Sequence, residues 1–323
     1  MARIVSKECC SIAAMKPSAP HDRIPVLIDC DPGIDDALAL MVAAKYTAIA
    51  GITTVAGNVP IEHTTNNALS LCELLDLRVP VHQGAAGPLE GDRITAEHVH
   101  GDTGLGDLHL SPPTTQIRTD DAVAFLNQHF LRNPGTRLIT LGPLTNVALL
   151  LRHHPRVAEY IGGITFMGGS AFGFGNVTAS AEFNIFADPE AADIVFKSAV
   201  PLEMVGLNLT HQVLMGEQHG ALLDKTNPIS SAAITLLESY QHLIASGSGV
   251  FNVPMHDPCA VLAVSHRELF GFKSRHVMIE LQGDLTRGQT VVDERRTSRE
   301  ANMDVAYDVD IDSAITAIRF ALS

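Results

Sequence analysis

The 323-residue chain contains no tryptophan, four tyrosines and five cysteines, and Asp, Glu, Lys and Arg together make up only 18% of it. Low charge beside 46% apolar residues excludes a disordered chain, because such a composition can bury a large core. The cysteines, Cys9, Cys10, Cys30, Cys72 and Cys259, are odd in number and scattered, with no C-x-x-C spacing. That excludes a disulfide scaffold and a zinc ribbon, and leaves reduced thiols. Basic residues are scarce: 22 Lys plus Arg stand against 36 Asp plus Glu, a net charge of −14, with no basic run longer than Arg295-Arg296. A phosphate-tracking stripe is therefore missing, and no nucleic acid partner is expected. No apolar run approaches the roughly 18 residues of a membrane span, so no membrane partner is expected either. Glu8, Lys16 and Asp22 break up any apolar signal core in the first 23 residues, which points to the cytoplasm. Residues 1–23 lack periodicity and read as a mobile extension, and residues 24–323 as a single domain.

What is present is an alternation of strand and helix. Short apolar runs at Val26–Ile28, Ile49–Val55, Val79–Val81, Leu138–Leu141, Ile164–Met167 and Leu202–Val205 read as strands. Helical patterns at Asp35–Lys45, Glu62–Leu75, Asp120–Phe130, Leu144–Arg152 and Pro189–Ser198 fall between them. Such an order predicts an α/β domain with a mostly parallel, Rossmann-like central sheet flanked by helices. Further helices or edge strands are read at Ser230–Ile244, Cys259–Val264, Met278–Leu281, Thr290–Val292, Val305–Val309 and Asp312–Ala321. Ligands of open parallel sheets bind beyond the carboxyl ends of the strands, and the residues following these strands are polar.

The first strand runs into Asp29-Cys30-Asp31-Pro32-Gly33-Ile34-Asp35-Asp36, four carboxylates in eight residues, with no Lys, Arg or His between Ile24 and Ala44. Like charges so clustered repel and raise one another's pKa unless they share a cation. Asp35 and Asp36 can also be favoured by the start of a helix, but Asp29 and Asp31 cannot. Oxygen donors without Cys or His select a hard ion, Ca²⁺ or Mg²⁺. The spacing is not that of an EF-hand, so a backbone carbonyl and a distant aspartate must complete the shell, Asp257 in Pro254-Met255-His256-Asp257-Pro258 being the best placed. A phosphate loop fails, since Phe174 stands where the Gly168–Gly173 spacing requires Lys. Glu182 and Asn184, two residues apart in what reads as an extended segment, would aim at one ligand.

The stretch Asp29–Ala37 resembles the signature of the nucleoside hydrolases, the inosine-uridine preferring ribohydrolase family. The resemblance continues in order through Thr53–Asn58, His100–Gly106, Leu141–Asn146, Met167–Gly169, Ala181–Asn184, Asp188–Ala192 and His256–Pro258. It implies calcium-dependent hydrolysis of the N-glycosidic bond of ribonucleosides by a homo-oligomer, a dimer or tetramer. By position it implies one Ca²⁺ per chain held by Asp31, Asp36, Asp257 and the carbonyl of Leu141, with ribose hydroxyls and a water completing the shell. Asp31 would be the general base on that water and Asp29 would brace it from behind. Asp35, Asn58, Met167, Asn176, Glu182, Phe183 and Asn184 would line the ribose. His256, expected to titrate near an ordinary imidazole's 6.5, would protonate the departing base, with His100 reaching the base side or acting as a lid. Carboxylates and amide oxygens around the ribose would stabilise the oxocarbenium character that develops there. Between Leu237 and His256 the chain lacks the tyrosine and glutamine spacing of pyrimidine-selective members, so Tyr240, Gln241 and His242 read equally as base-facing or surface residues.

Two other readings compete. Asp29-Cys30-Asp31 fits the dyad of a haloacid dehalogenase-type phosphatase, which leaves Asp35 and Asp36 unexplained. A nonenzymatic nucleoside- or sugar-binding protein would need neither Asp31 as a base nor His256 as an acid.

Overall fold

The computed structural model describes residues 23–248, 252–295 and 299–323. Residues 1–22 of the expected extension lie outside that set, while Arg23 donates from Nη1 to the Ala44 carbonyl at 3.0 Å. The strands are β1 (Pro25–Cys30), β2 (Ala48–Thr54), β3 (Val81–Gln83), β4 (Arg137–Thr140), β5 (Ile164–Met167), β6 (Leu202–Val205), β7 (Leu214–Gly216), β8 (Asn252–Pro254), β9 (Phe270–Ile279), β10 (Thr290–Asp293) and β11 (Met303–Val309). Nine form one sheet in the order β10-β9-β11-β6-β5-β4-β1-β2-β3, and β7 pairs with β8 in a separate antiparallel ribbon. From β3 to β11 every pairing is parallel, and only β9 runs against its neighbours.

The helices are α1 (Ile34–Tyr46), α2 (Ile61–Leu74), α3 (Glu97–His100), α4 (Ala122–Arg132), α5 (Thr145–His153), α6 (Phe183–Ala187), α7 (Pro189–Phe196), α8 (Leu207–Thr210), α9 (Glu217–Gly220), α10 (Pro228–Ser248), α11 (His256–Ser265) and α12 (Ile311–Ala321). Side-chain alternation along β1 divides the core: Val26 and Ile28 pack with α1, α10, α11 and α12, whereas Leu27 faces α5 and α7. The buried faces are therefore on both sides of the sheet, as expected for parallel strands.

Two features of this topology make the site. The chain steps outward from β1 through β2 to β3, then returns to lay β4 on the other side of β1, so the turns after β1 and β4 diverge and open a crevice. Helices α1 and α11 pack along each other. Both are apolar nearly all round and almost wholly buried, as helices without a polar stripe must be. Their first turns carry Asp35, Asp36 and Asp257.

The predicted strands and helices recur with shifts of a few residues at their ends. Of Met278–Leu281 only Met278 and Ile279 fall in a strand, as the end of the ten-residue β9, concealed in the sequence because Lys273, Ser274, Arg275 and His276 interrupt its apolar pattern. The short elements α3, α6, α8, β7 and β8 carry too few residues to show a period. Cys30, Cys72 and Cys259 are buried free thiols.

Candidate active site

The carboxylates at the end of β1 are fixed by a dense set of hydrogen bonds. Asp29 Oδ1 accepts from the Thr53 hydroxyl and from Asn146 Nδ2, the latter at 2.8 Å, which anchors β1 to β2 and α5. Asp31 Oδ2 accepts the Asn58 backbone N–H at 2.7 Å. Asp36 caps its own helix: Oδ1 accepts Asp31 N–H at 3.1 Å, and Oδ2 accepts Gly33 N–H and Asn58 Nδ2, both at 3.0 Å. Glycine is required on either side of Asp31, since a Cβ on Gly57 would lie 2.1 Å from Oδ2 and one on Gly142 would lie 2.3 Å from Oδ1.

Three carboxylate oxygens remain buried without a hydrogen-bond partner among the described residues: Asp29 Oδ2, Asp31 Oδ1 and Asp35 Oδ1. One oxygen each of Asp35, Asp36 and Asp257 can be chosen within 4.8 Å of one another. Asp31 stands outside that triad, but its charge is felt at Asp257. Burial pushes Asp29, Asp35 and Asp36 up to about 6. Asp31 and Asp257 are held well above the carboxylate range, first by burial and then by neighbouring carboxylates. Unpartnered oxygens, mutual repulsion and an all-oxygen donor set together fit a hard divalent cation. The Leu141 carbonyl, at the same end of the sheet, accepts Asn184 Nδ2 at 2.6 Å.

A cavity of about 560 Å³ opens over this cluster. Asp35, Asn58, Leu141, Met167 and Asp257 line one part, with Asn176, Glu182, Phe183 and Asn184 beside them. Asp31 and Asp36 are fully buried next to these groups. Glu182 and Asn184 are not in an extended segment. Glu182 is the N-cap of α6, where Oε1 accepts Asn184 N–H and Oε2 accepts Ile185 N–H, while Oε2 also accepts Gly169 N–H. Burial nonetheless raises Glu182 to about 7. The two side chains reach one cavity through a helix start rather than through strand alternation. Asn176 Oδ1 accepts the Phe183 N–H at 2.9 Å and so ties the Gly-rich loop to the same helix.

The rest of the lining is less polar. It includes His98, Val99, Leu214, Tyr240, Ile244 and Pro254, which the sequence reading does not single out as a group. Their elements are short or lie far apart in the chain, and only folding assembles them. Tyr240 is buried and its ring stacks on His100 with centroids 6.2 Å apart, whereas His242 is exposed. His100 is buried, and its Nδ1 accepts the Ile34 N–H at 3.1 Å. His256 Nδ1 is bonded to the Thr210 hydroxyl at 2.8 Å. Burial lowers His100 to about 4, and burial with His211 and His100 nearby lowers His256 to about 3. The ordinary imidazole pKa expected for His256 is thus corrected. Desolvation disfavours the imidazolium, and the ring is neutral at neutral pH.

Among the described residues no Lys or Arg lines the cavity. The parallel α/β sheet carries a carboxylate-rich pocket at its switch point, lined also by imidazoles and apolar groups, and the oxygen donors there fit a hard cation. A profile of the inosine-uridine preferring nucleoside hydrolases matches residues 26–316, and the chain belongs to that family. It is 42% identical over 291 residues, 88% of this chain and 91% of the relative, to the pyrimidine-specific ribonucleoside hydrolase RihA of Shewanella oneidensis. It is 40% identical over 293 residues, 90% of this chain and 95% of the relative, to the non-specific ribonucleoside hydrolase RihC of Escherichia coli. Among solved structures, the purine-preferring ribonucleoside hydrolase of Gardnerella vaginalis superposes with a TM-score of 0.86 at 28% identity, covering 92% of this chain and 99% of that one. The protein is therefore a nucleoside hydrolase, and the phosphatase and pure binding readings fall away.

Proposed function

We propose that this enzyme hydrolyses the N-glycosidic bond of ribonucleosides with Ca²⁺ at the cluster of Asp31, Asp36, Asp257 and the Leu141 carbonyl, Asp35 standing within ligand reach of the same ion. The observation that carries the reading is the buried, unpartnered Asp31 Oδ1, set against Gly142 beside the triad of Asp35, Asp36 and Asp257. A bound cation would orient the ribose hydroxyls and acidify the attacking water.

Asp31 takes a proton from that water as its oxygen bonds to C1′ and the C1′–N bond breaks. Burial favours this role, since it leaves the carboxylate more basic than a solvated one, while the counter-charge keeps it ionised. Asn58 holds Asp31 and Asp36 in register through its backbone and amide nitrogens. Asp35, Met167, Asn176, Glu182, Phe183 and Asn184 surround the ribose, and the carboxylates and amides among them stabilise positive charge as it develops. Asp29 braces the strand end from behind. The base leaves with the glycosidic electron pair toward His100 and His256. His256 meets the developing charge as a neutral hydrogen-bond donor, and the base takes its proton from solvent. That no Lys or Arg lines the cavity among the described residues favours nucleosides over nucleotides. The setting proposed is a cytoplasmic homo-oligomer.

Incubation with uridine, cytidine, inosine and adenosine, with free bases separated by chromatography, tests the reading. Release of base and ribose that stops with a calcium chelator and returns with Ca²⁺ is expected. Full activity with no divalent ion removes the proposal.

A further inference from the structure

Thr210 is the last residue of the four-residue α8, outside every motif singled out in the sequence, and its side chain is fully buried. Among the described residues its hydroxyl has one hydrogen-bond partner, Nδ1 of His256 at 2.8 Å. Either atom could in principle be the donor, and burial decides between them. Were Nδ1–H to donate, the threonine proton would be left buried with no acceptor among the described residues, a loss comparable to that of a buried hydrogen bond. With the hydroxyl donating, both groups are satisfied. A neutral imidazole that accepts at Nδ1 carries its proton on Nε2.

His100 supplies an internal comparison in which the donor has no choice. Its Nδ1 faces the Ile34 backbone N–H at 3.1 Å, so it too must accept at Nδ1 and carry the proton on Nε2. Both rings line the same cavity, and each is pinned from behind by a fixed donor.

We infer that Thr210 is a positioning residue that locks His256 as the Nε2–H tautomer and so makes it a neutral donor to the departing base. The inference rests on the role given to His256 above and deepens it. Without the hydroxyl, the ring can carry its proton on either nitrogen, and half-turn flips about the Cβ–Cγ bond cost it little. The fraction of molecules with a donor facing the base then falls, while the ribose and cation sites stay intact.

The tautomer is read directly in the full-length protein carrying ¹⁵N-labelled histidine, by long-range ¹H–¹⁵N spectra that distinguish protonated from bare ring nitrogens, with His256→Ala assigning the resonance. Wild type and Thr210→Ser should show His256 bare at Nδ1 and protonated at Nε2, and Thr210→Val should lose that signature. In turnover, Thr210→Val should lower kcat on the preferred nucleoside roughly 10- to 100-fold, the scale known for removing the hydrogen-bond partner of a metal-ligating imidazole. KM, and kcat on p-nitrophenyl riboside, should change by less than about threefold, because a nitrophenolate leaves without a donor. Thr210→Ser should restore most of the loss. A protonated Nδ1 in the wild-type spectrum overturns the inference whatever happens to Thr210→Val. So does wild-type kcat in Thr210→Val when His256→Ala is impaired. If His256→Ala itself retains full activity, it is the role of His256 that fails, and the inference fails with it.

Discussion

The backbone N–H of Ile34 donates to Nδ1 of His100 at 3.1 Å, and this bond ties the helix that begins with the site carboxylates to an imidazole lining the same cavity. Gly33 makes the approach possible: a Cβ there would lie 2.6 Å from that same Nδ1 and 2.7 Å from Asn58 Nδ2. Neither ring nor amide can retreat without losing a bond to α1. Gly33→Ala should therefore lower kcat/KM by more than tenfold, with a stability loss of about 1–3 kcal/mol from overpacking. Thermal melting and turnover measured on the same sample check this. Wild-type turnover would show that the contact has slack.

Asp31→Asn should lose turnover by on the order of 10² or more, because the amide cannot accept the water's proton. The fold should survive, and the metal-free variant should melt no lower than wild type, since one member of a repelling cluster has gone. Circular dichroism and base release decide the case. Unchanged turnover would move the general base elsewhere.

Calcium binding and protonation should compete. In the absence of a cation Asp29, Asp35 and Asp36 sit near 6, above the roughly 3.9 of an unfolded aspartate. Between those values the folded state holds more protons than the unfolded one, so stability falls as pH rises through that window. An ion that binds the ionised cluster reverses the trend. The gain in Tm on adding Ca²⁺ should be small near about pH 5 and larger near about pH 7.5. A gain independent of pH, or one retained in Asp36→Asn, would exclude these carboxylates as the site.

Glu182→Gln should damage both fold and chemistry. Three backbone N–H groups converge on this carboxylate, and an amide offers a single acceptor oxygen and a donor that clashes with one of them. A loss of roughly 1–3 kcal/mol is expected in melting. A fall in kcat beyond the rise in KM should accompany it, because a full charge helps most when the ribose becomes cationic. A rise in KM alone would reduce Glu182 to ground-state binding.

His256→Ala should slow hydrolysis of inosine and uridine far more than that of p-nitrophenyl riboside, and leave the affinity for Ca²⁺ nearly intact. Equal losses on all three would mean that the ring only fills space beside Asp257.

Much of this protein is fixed by local order in the chain. Apolar runs spaced by helical patterns dictate a parallel sheet, because strands so connected must cross over and be covered on both faces. The Asp29–Asp36 run demands a cation, since nothing basic lies near it in sequence and no helix start can accommodate four carboxylates. Other properties depend on atoms far apart in the chain. Asp257 meets Asp35 and Asp36 only because α11 packs along α1. Tyr240 becomes part of the cavity wall because α10 turns it inward against His100. Spacing likewise cannot reveal that Glu182 caps a helix or that Thr210 stands behind His256. The protonation of His256 is the clearest case. A histidine beside Asp257 reads as a titrating acid, but its pKa is set by the water it loses and by His211 and His100, and these are brought to it by the fold. Sequence supplies the identity and local spacing of the groups. Desolvation and long-range juxtaposition, which decide their charge and direction, arise only when the chain closes around them.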